Sequence, residues 1–514
     1  MSLLTVTNIS HGYGERTILK NANFRMLKGE HIGLVGANGE GKSTFIQILL
    51  GNQLPEEGNI EWAKHVHVGY LDQFTVLEKG KTIREILQTA FKSMYEMEEE
   101  ISKLYMDMGD MSEDEMNSAL EEIGDMQSYL DNSGFYLIDS RINEVANGLG
   151  LGSIGLETPV ENLSGGQRAK VLLTKLLLEN PQVLILDEPT NFLDEYQVAW
   201  LKNYLINFEN AFLLVSHDEE FMNDCVNVIY HIDNGNFTIY TGNYKQFLQA
   251  YEVKKRQLEA AYDSQQKEIA KMEDFIARNK ARVATRAMAN SRQKKLDKME
   301  LVEKVKDKIK PKFEFNISRN TGKVLFRCEN LEIGYDESLT IPINLEILRG
   351  EKVAIKGING LGKTTFIKTI LGKLNPISGS VWSSPALDVG YFEQEVPENK
   401  KTPFDEILDT FPTLNNGEIH YFLNAAGLTN ENQQQMIMTL SGGEAAKVRL
   451  CKLMIEKTNV LVLDEPTNHL DVLAKEALVE AIEKYEGTVI IVTHEEAFLN
   501  KVATKVISMM DYKK

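Results

Sequence analysis

The sequence has few cysteines and prolines and no long apolar run, which excludes several classes of protein. Its 3 cysteines lie far apart and form no CxxC pair, which argues against a disulfide framework and a zinc site. With 12 prolines and 36 glycines among 514 residues, it is not a collagen-like or low-complexity chain. No apolar run approaches the roughly 18 residues of a membrane helix, and the first ten residues do not resemble a signal peptide. We therefore expect a reduced, cytoplasmic protein.

Positive charge is scarce overall but locally concentrated. The chain has 56 Lys and Arg against 75 Asp and Glu, a net charge of −19. Residues 251–310 nevertheless carry 17 basic against 10 acidic residues, a local charge of +7 that leaves −26 elsewhere. An acidic body repels nucleic-acid phosphates, whereas a basic segment attracts them. At about 150 residues per domain, the length predicts two or three domains.

Three motifs occur twice in the same order. GANGEGKST, LSGGQ and LILDEPTNFLD in the first half return as GINGLGKTT, LSGGE and LVLDEPTNHLD. Lys42 and Lys363 are 321 residues apart, whereas Ser164 and Ser441 are 277 apart, so the first copy has 44 extra residues. A shared register over such distances indicates duplication. We predict an α/β protein with two tandem domains of one fold, residues 1–250 and 315–514.

Two further segments have helical periodicity. Apolar residues recur at spacings of three, four or seven across residues 87–130, which predicts a helical insertion at about 85–133. Within it, Ser112 and Glu115 have the spacing of a capping box. Residues 251–314 contain two more apolar stripes and predict an antiparallel helical hairpin between the domains, ended by Pro311. About 35 helical residues would project roughly 50 Å.

The far end of this predicted hairpin is basic. Residues 275–298 contain eight Lys or Arg and one acid, Asp297. This imbalance predicts contact with RNA phosphates, and the alternative is a solvated coiled-coil surface. The candidate RNA contacts are Arg278, Arg282, Arg286, Arg292, Lys294 and Lys295.

A G-x-x-x-x-G-K-[ST] loop follows an apolar strand and precedes an apolar helix in each half. Its glycines let backbone N–H groups converge on phosphates at a helix N-terminus. The lysine neutralises β- and γ-phosphate charge, and the next hydroxyl suits Mg²⁺. The predicted phosphate-binding residues are Gly36, Asn38, Gly39, Gly41, Lys42, Ser43 and Thr44 in the first half, and Gly357, Asn359, Gly360, Gly362, Lys363, Thr364 and Thr365 in the second.

Each half also has an apolar strand that ends in Asp-Glu. The first acid suits magnesium and the second could orient or deprotonate an attacking water. Histidines in matching register follow a further strand in each half. The adjacent acids are Asp187 and Glu188 in the first half and Asp464 and Glu465 in the second. The histidines, also predicted to be catalytic, are His217 in the first half and His494 in the second. Tyr13 and Tyr335, 23 and 22 residues before the first loop glycines, could stack on a nucleobase or be core residues.

These residues resemble those of the ATP-binding cassette (ABC) ATPases, to which the LSGG signature is highly specific. The resemblance implies two ABC-type P-loop domains that bind ATP and Mg²⁺ and close head to tail over two nucleotides. It adds Gln73 and Gln394 as catalytic and magnesium-binding Q-loop residues beside the metal candidates Ser43, Asp187, Thr364 and Asp464. It assigns the signature residues Ser441, Gly442 and Gly443 to the ATP at Lys42, and Ser164, Gly165 and Gly166 to the ATP at Lys363.

More narrowly, twin cassettes joined by a charged helical linker resemble the ABC-F family of translation ATPases. This resemblance implies a monomer that hydrolyses ATP, binds the tRNA exit region of the ribosome and modulates translation. Its hairpin would contact rRNA, and tRNA is a further candidate contact. An antibiotic-resistance factor of the same family is one alternative, and the ATPase subunit of a transporter is another, although no transmembrane partner is expected. The second signature departs from the first by ending in Glu444. We expect both ATP sites to be competent, though not necessarily equal.

Overall fold

The computed structural model describes residues 2–13, 16–37, 39–71, 77–108, 111–279, 286–299, 310–335, 337–357, 360–393, 399–468, 470–493 and 495–514. The strands of the first domain are β1 (Ser2–Tyr13), β2 (Arg16–Leu27), β3 (His31–Val35), β4 (Glu57–Trp62), β5 (Val68–Tyr70), β6 (Val183–Asp187), β7 (Ala211–Val215), β8 (Val228–Asp233) and β9 (Asn236–Thr241). Its helices are α1 (Lys42–Leu49), α2 (Ile83–Gln88), α3 (Lys92–Asp107), α4 (Glu113–Ser133), α5 (Ile138–Gly148), α6 (Gly165–Glu179), α7 (Glu195–Ile206) and α8 (Glu219–Cys225).

The central sheet of the first domain has the strand order β5-β6-β7-β3-β8-β9 and is parallel except for the edge strand β9. Its middle strands are continuous apolar runs because both faces are covered. In β6, Val183 and Ile185 pack toward α1 and a second, antiparallel sheet of order β2-β1-β4, whereas Leu184 and Leu186 pack toward the helices. The domain therefore has three layers, with the carboxyl ends of β3, β6 and β7 at one edge.

The insertion of the first domain is formed by α3 and α4, which pack against each other through a small apolar cluster that includes Ile101, Ile123 and Leu130. The predicted capping box is confirmed at the start of α4, where the backbone N–H of Ser112 donates to the Glu115 carboxylate at 2.9 Å. The two helices thus have a small core of their own, and Met94 and Phe135 also pack against the helical core of the domain.

Two linker helices follow the first domain, α9 (Tyr244–Asn279) and α10 (Arg286–Asp297). The helix α9 begins before residue 251, the predicted domain boundary, because its first turns pack on the first domain through Phe247 and Tyr251. The helix α10 packs on α9: the Arg292 guanidinium lies 3.6 Å from the Phe275 ring centroid. Most of the predicted returning stripe, at residues 300–309, lies outside the described residues.

The second domain repeats the first. Its strands are β10 (Asn316–Ile317), β11 (Val324–Glu332), β12 (Ile343–Leu348), β13 (Lys352–Lys356), β14 (Ser378–Ser383), β15 (Val389–Phe392), β16 (Lys457–Thr458), β17 (Val460–Asp464), β18 (Thr488–Val492) and β19 (Lys505–Ser508). Its helices are α11 (Lys363–Ile370), α12 (Pro403–Thr410), α13 (Asn416–Ala425), α14 (Asn430–Gln434), α15 (Gly442–Ile455), α16 (Val472–Lys484) and α17 (Glu496–Val502).

The sheets of the second domain have the orders β15-β17-β18-β13-β19, which is parallel, and β12-β11-β14, which is antiparallel. The strands β13, β17 and β18 correspond to β3, β6 and β7, and alternate residues of β17 again enter two cores. The predicted tandem α/β fold is therefore confirmed. Within the described ranges, no helix combines the length and the apolar character needed to cross a membrane.

Candidate nucleotide-binding sites

The loop between β3 and α1 has the geometry of a phosphate cradle. Gly41 precedes α1 with a φ of 92°, a left-handed conformation that suits glycine. A Cβ atom there would lie 2.3 Å from Cγ2 of Ile18, so the loop has no room for a side chain. Nζ of Lys42 donates to the carbonyl oxygens of Gly36 at 2.9 Å and Ala37 at 3.1 Å. The ammonium is thereby directed into the loop, where an anion would approach the start of the helix.

The loop between β13 and α11 repeats this arrangement. Gly362 precedes α11 with a φ of 79°. Nζ of Lys363 donates to the Gly357 carbonyl oxygen at 2.7 Å. Burial lowers the pKa of this lysine, although the acids Glu465 and Asp464 act in the opposite direction. An ammonium held in a buried, glycine-lined loop gains most from an anionic ligand.

Both Asp-Glu pairs lie where their strands end, next to the loops. Glu188 and Glu465 each have a φ of 50°, an uncommon conformation for a residue with a side chain. Their backbone N–H groups donate to carbonyl oxygens on the neighbouring strands, that of Val215 at 2.9 Å and that of Val492 at 2.8 Å. The same strained turn in both domains directs the glutamate carboxylate to the loop edge, and such strain is typical of functional sites.

Burial perturbs these acids. It raises the pKa of Glu188 to about 8, and the neighbouring Asp187 carboxylate acts in the same direction. Burial also raises the pKa of Asp187, and it raises that of Asp464 to about 6. Nε2 of His217 lies 3.6 Å from Oε1 of Glu188. Buried acids with raised pKa values in a cleft are candidates for proton transfer.

The oxygen atoms beside each lysine loop fit a magnesium ion. Oγ of Ser43 donates to Oδ2 of Asp187 at 3.1 Å, and Oγ1 of Thr364 donates to Oδ2 of Asp464 at 2.8 Å. Oδ1 of Asp464 is buried and has no hydrogen-bond partner among the described residues. Mg²⁺ prefers hydroxyl, carboxylate and phosphate oxygens, so a bound cation would satisfy this buried oxygen.

The structure brings the first lysine loop together with the second LSGG signature. A cavity of about 1370 Å³ is lined by Lys42, Asp187, Glu188 and His217 from the first domain and by Ser441 and Gly443 from the second. Ser441 begins α15, so the N-terminal end of this helix opens into the cavity. This is the pairing that the ABC resemblance implies. We call this cavity the Lys42 site.

The other combination, Lys363 with the first signature, stays a prediction, and we call it the Lys363 site. Two residues of the first domain, Asp194 and Lys170, act electrostatically on the pKa of Lys363. In return, Lys475 of the second domain acts on the pKa of Glu188. Ser164 caps α6 as Ser441 caps α15, and Gly165 and Gly166 follow it on the exposed start of that helix. The domains therefore face each other at both lysine loops.

The structure describes most of the predicted site residues. Gly39 and Gly360 lie in the two lysine loops, and Thr44 and Thr365 lie in the helices that follow them. Gly442 is the first residue of α15. Tyr335 is exposed, which favours the stacking alternative over a core role, whereas Tyr13 ends β1 and its side chain is not among those described. The predicted residues Asn38, Gln73, Asn359, Gln394, His494 and Arg282 lie outside the described residues.

Sequence reasoning missed several residues that line the Lys42 site. They are Asn191, Glu431, Asn432, Gln435 and Thr439. Four of them lie in or just after α14, shortly before the second signature. No repeated motif marks this segment, and only the capping spacing of Thr429 and Asn432 could have indicated an ordered helix start there.

The described part of the hairpin tip is basic and exposed. Arg278, Arg292, Lys294 and Lys295 are all on the surface, and Arg286 begins α10. Two of these charges have acidic partners: Arg278 pairs with Asp274 at 2.9 Å, and Lys295 pairs with Glu268 at 3.1 Å. Half of these four charges are thus compensated, and the tip remains net positive because residues 275–298 contain a single acid, Asp297.

Comparisons with known proteins cover both domains. A family model described as ABC transporter matches residues 19–191 and 341–468, and a second model of the same description matches 230–315. The chain is 54% identical to the ABC transporter ATP-binding protein YfmM of Bacillus subtilis (strain 168), over 98% of each protein. It is 34% identical to ABC transporter F family member 2 of Arabidopsis thaliana, over 98% of this chain and 74% of that protein. The chain belongs to the ABC-F family.

Its two cassettes are thus ATP-binding domains. Solved structures show the same tandem-cassette fold. A chain in the "Model of ribosome-bound archaeal Pelota and ABCE1" is 21% identical and gives a TM-score of 0.58, covering 98% of this ABC-F chain and 76% of that one. The "RNase-L Inhibitor" is 19% identical and gives a TM-score of 0.56, covering 98% and 87%.

Proposed function

We propose that this ABC-F protein hydrolyses ATP between its cassettes and binds the ribosome at the tRNA exit region through its linker hairpin, thereby modulating translation. The observation that carries the enzymatic part is the Lys42 site, in which one cassette supplies the phosphate loop and the acids while the other supplies the signature helix. A nucleotide there would hold the two cassettes together, because each provides half of its surroundings.

The chemistry follows from the residues around the cavity. Lys42 and the start of α1 bind the β- and γ-phosphates, and the start of α15 receives the γ-phosphate from the opposite side. The ionised form of Glu188 accepts the proton of the attacking water, and its pKa, raised by burial to about 8, lies near neutral pH, where a general base is most effective. Mg²⁺ bound by Ser43 and Asp187 would neutralise phosphate charge. In the Lys363 site, Glu465 has the corresponding role.

Closure of the cassettes couples to the hairpin because the hairpin is attached to both. The base of α9 packs on the first cassette through Phe247 and Tyr251. After residues 300–309 the chain reaches the second cassette, where Nζ of Lys310 contacts Glu480 on α16 at 2.7 Å. A change in the angle between the cassettes therefore changes the direction of the hairpin.

The charge distribution supports RNA as the partner of the hairpin. The hairpin tip, residues 275–298, has a charge of +7, whereas the whole chain has a net charge of −19. The tip therefore extends from a body that would otherwise repel RNA. Each phosphate contact releases counterions, so binding depends on salt. A solved protein of the same fold is described as ribosome-bound, which supports a ribosomal partner over other RNAs.

The test is sedimentation with ribosomes. In the ATP-locked background Glu188→Gln/Glu465→Gln, we neutralise Arg278, Arg292, Lys294 and Lys295 to Gln. The matched control neutralises four exposed basic residues nearer the base of α9, Lys254, Arg256, Lys267 and Lys271, with the same loss of charge. The tip variant should lose ribosome binding and have a salt dependence flatter by about 0.7–0.9 in log–log slope per lost contact.

Equal pelleting of the tip variant, the base variant and their parent at every salt concentration would contradict a role of the tip in binding. ATP binding by free protein should be the same in all three, because the tip is remote from both nucleotide sites. Antibiotic susceptibility of a deletion strain then separates a general translation factor from a resistance factor. Co-purification with membranes rather than ribosomes would instead favour a transporter subunit.

A further inference from the structure

The two signature helices begin with different hydrogen-bond networks. At the start of α15, the backbone N–H of Ser441 donates to the Glu444 carboxylate at 2.9 Å, and the Ser441 hydroxyl donates to the same carboxylate at 2.8 Å. At the start of α6, the backbone N–H of Ser164 donates to Oε1 of Gln167 at 2.9 Å. A carboxylate can only accept, so the hydroxyl of the signature serine must donate its hydrogen bond to Glu444.

The Glu444 carboxylate is held in this position from its other side. Nδ2 of Asn432 donates to Oε1 of Glu444 at 2.7 Å, and Asn432 is itself only 5% exposed. The first cassette has Gly155 at the position that corresponds to Asn432 in the 277-residue register, and so lacks this clamp. The contact makes rotation of Glu444 away from Ser441 costly.

The Lys42 site also carries more negative charge from the opposite cassette. Glu444 and Glu431 both line the cavity that contains Lys42. The corresponding residues of the first cassette, which faces Lys363, are Gln167 and Ile154. An ATP phosphate in the Lys42 site would therefore meet two acids at positions where the first cassette has a glutamine and an isoleucine.

We infer that Glu444 makes the Lys42 site the weaker of the two ATP sites, by holding the Ser441 hydroxyl away from the γ-phosphate and by placing a like charge beside it. This inference rests on the proposed binding of ATP between the cassettes. A serine hydroxyl that already donates to a carboxylate is not available to a phosphate oxygen. A carboxylate at a helix N-terminus also occupies the position where the helix favours an anion.

The experiment measures nucleotide binding to the free, full-length protein. Equilibrium dialysis with radiolabelled AMP-PNP and Mg²⁺ should reveal two classes of site. Lys42→Ala should remove the weak class and Lys363→Ala the tight class, which assigns each class to its lysine loop. Since ribosomes are absent, a failure of the proposed ribosome binding does not affect this result.

Glu444→Gln should tighten the weak class roughly tenfold, because it removes a charge and frees a hydroxyl donor. The substitution reproduces the first signature, in which glutamine already forms the capping box. The reciprocal variant Gln167→Glu should weaken the tight class and leave the weak class unchanged.

A second pair of variants isolates the hydroxyl. Ser441→Ala should weaken binding at the Lys42 site more in the Glu444→Gln background than in the otherwise wild-type chain, where the hydroxyl is engaged by Glu444, and so should cancel much of the gain. Affinities unaffected by Glu444→Gln, or tightened only in the Lys363 site, would overturn the inference alone. An absence of AMP-PNP binding in every variant would overturn the proposed function together with it.

Discussion

The two ATP sites share what each cassette supplies to itself. The glutamates that follow β6 and β17 have the same φ of 50°, and the serine or threonine after each loop lysine donates to the same oxygen of its aspartate. The opposite cassette contributes Glu444 and Glu431 to the Lys42 site, and the first cassette has Gln167 and Ile154 at the corresponding positions.

Burial differs as well. Asp464 is fully buried and Glu465 is 7% exposed, whereas Asp187 and Glu188 are only partly buried. A duplicated fold thus keeps the strand-loop-helix geometry of each nucleotide loop, because that geometry arises within one domain. Contributions across the interface are made by separate segments and can diverge, so two sites of one origin need not behave alike.

The largest effect is expected when the glutamates that the two sites have in common are replaced, which tests whether both act as the catalytic base. Glu188→Gln and Glu465→Gln together should lower ATP hydrolysis by about 10²–10⁴-fold, because an amide cannot accept a proton. ATP binding should be retained, as dialysis with labelled ATP would show. Each single variant should remove the turnover of one site.

The matched control is Glu195→Gln, an exposed acid in the first turn of α7. Phosphate release by this control should equal that of wild type. Near-normal hydrolysis in the double variant would show that neither glutamate is the base.

Arginine at a signature serine tests which signature serves which lysine. Ser441→Arg should weaken nucleotide binding at the Lys42 site by roughly thirtyfold, because it adds bulk and a cation at a helix start that favours an anion. Ser164→Arg should have the same effect at the Lys363 site. Occupancy measured separately in Lys42→Ala and Lys363→Ala backgrounds gives the assignment, and the reverse pattern would mean that the cassettes are paired differently.

Alanine in the phosphate loops tests whether the two loops are equally tight. A Cβ at Gly41 would lie 2.3 Å from Cγ2 of Ile18, whereas a Cβ at Gly362 would lie 3.2 Å from Cδ1 of Ile333, a terminal methyl that can shift. Both glycines have positive φ. We expect Gly41→Ala to destabilise its cassette by about 2 kcal/mol and Gly362→Ala by about 1 kcal/mol. Hydrogen exchange of peptides from each cassette would measure both, and equal costs would contradict the difference in space.

The smallest expected effect concerns a lysine behind each signature. Nζ of Lys447 lies 2.9 Å from Oδ2 of Asp471. Its counterpart Lys170 has no carboxylate oxygen within 4.0 Å among the described residues, and burial lowers its pKa. Lys447→Met should destabilise the second cassette by about 1–2 kcal/mol, whereas Lys170→Met should change stability by less than about 1 kcal/mol.

Calorimetric unfolding of both lysine variants beside wild type would measure this difference. A larger loss of stability for Lys170→Met than for Lys447→Met would show that the ion pair with Asp471 is not what distinguishes the two lysines.

Much of the fold could be predicted because the motifs are local. A lysine loop such as that of Lys42 needs a strand before it and a helix after it, so the motif predicts its own structural context. The α3 and α4 insertion followed from the periodicity of apolar residues such as Ile101 and Ile123. The domain boundary at residue 251 stays a prediction; α9 itself begins at Tyr244 because Phe247 packs on the first domain, and an amphipathic stripe does not indicate where it docks.

The site was harder to predict where it depends on tertiary contacts. The sequence shows that Glu444 replaces a glutamine, but not that Asn432, twelve residues earlier, donates to it. The unusual φ of Glu188 depends on a hydrogen bond to Val215 of another strand, and no local pattern encodes that contact. The pairing of Lys42 with Ser441 followed from family resemblance, since a repeat alone does not specify how its copies face each other.

Because α9 has 36 residues, a small tilt at its base would move its far end over a long distance. At 1.5 Å per residue the helix is about 54 Å long, so each degree of tilt at its base moves the far end by about 1 Å. Such a tilt would pivot about the aromatic base of the helix, where His231 contacts Phe247 and Tyr251. A rotation of about 10° between the cassettes would sweep the tip through about 9 Å, more than the rise of one helical turn. In the proposed closure, helix length would set how far the tip moves, and inserting or deleting whole heptads would lengthen or shorten that movement without altering either nucleotide site.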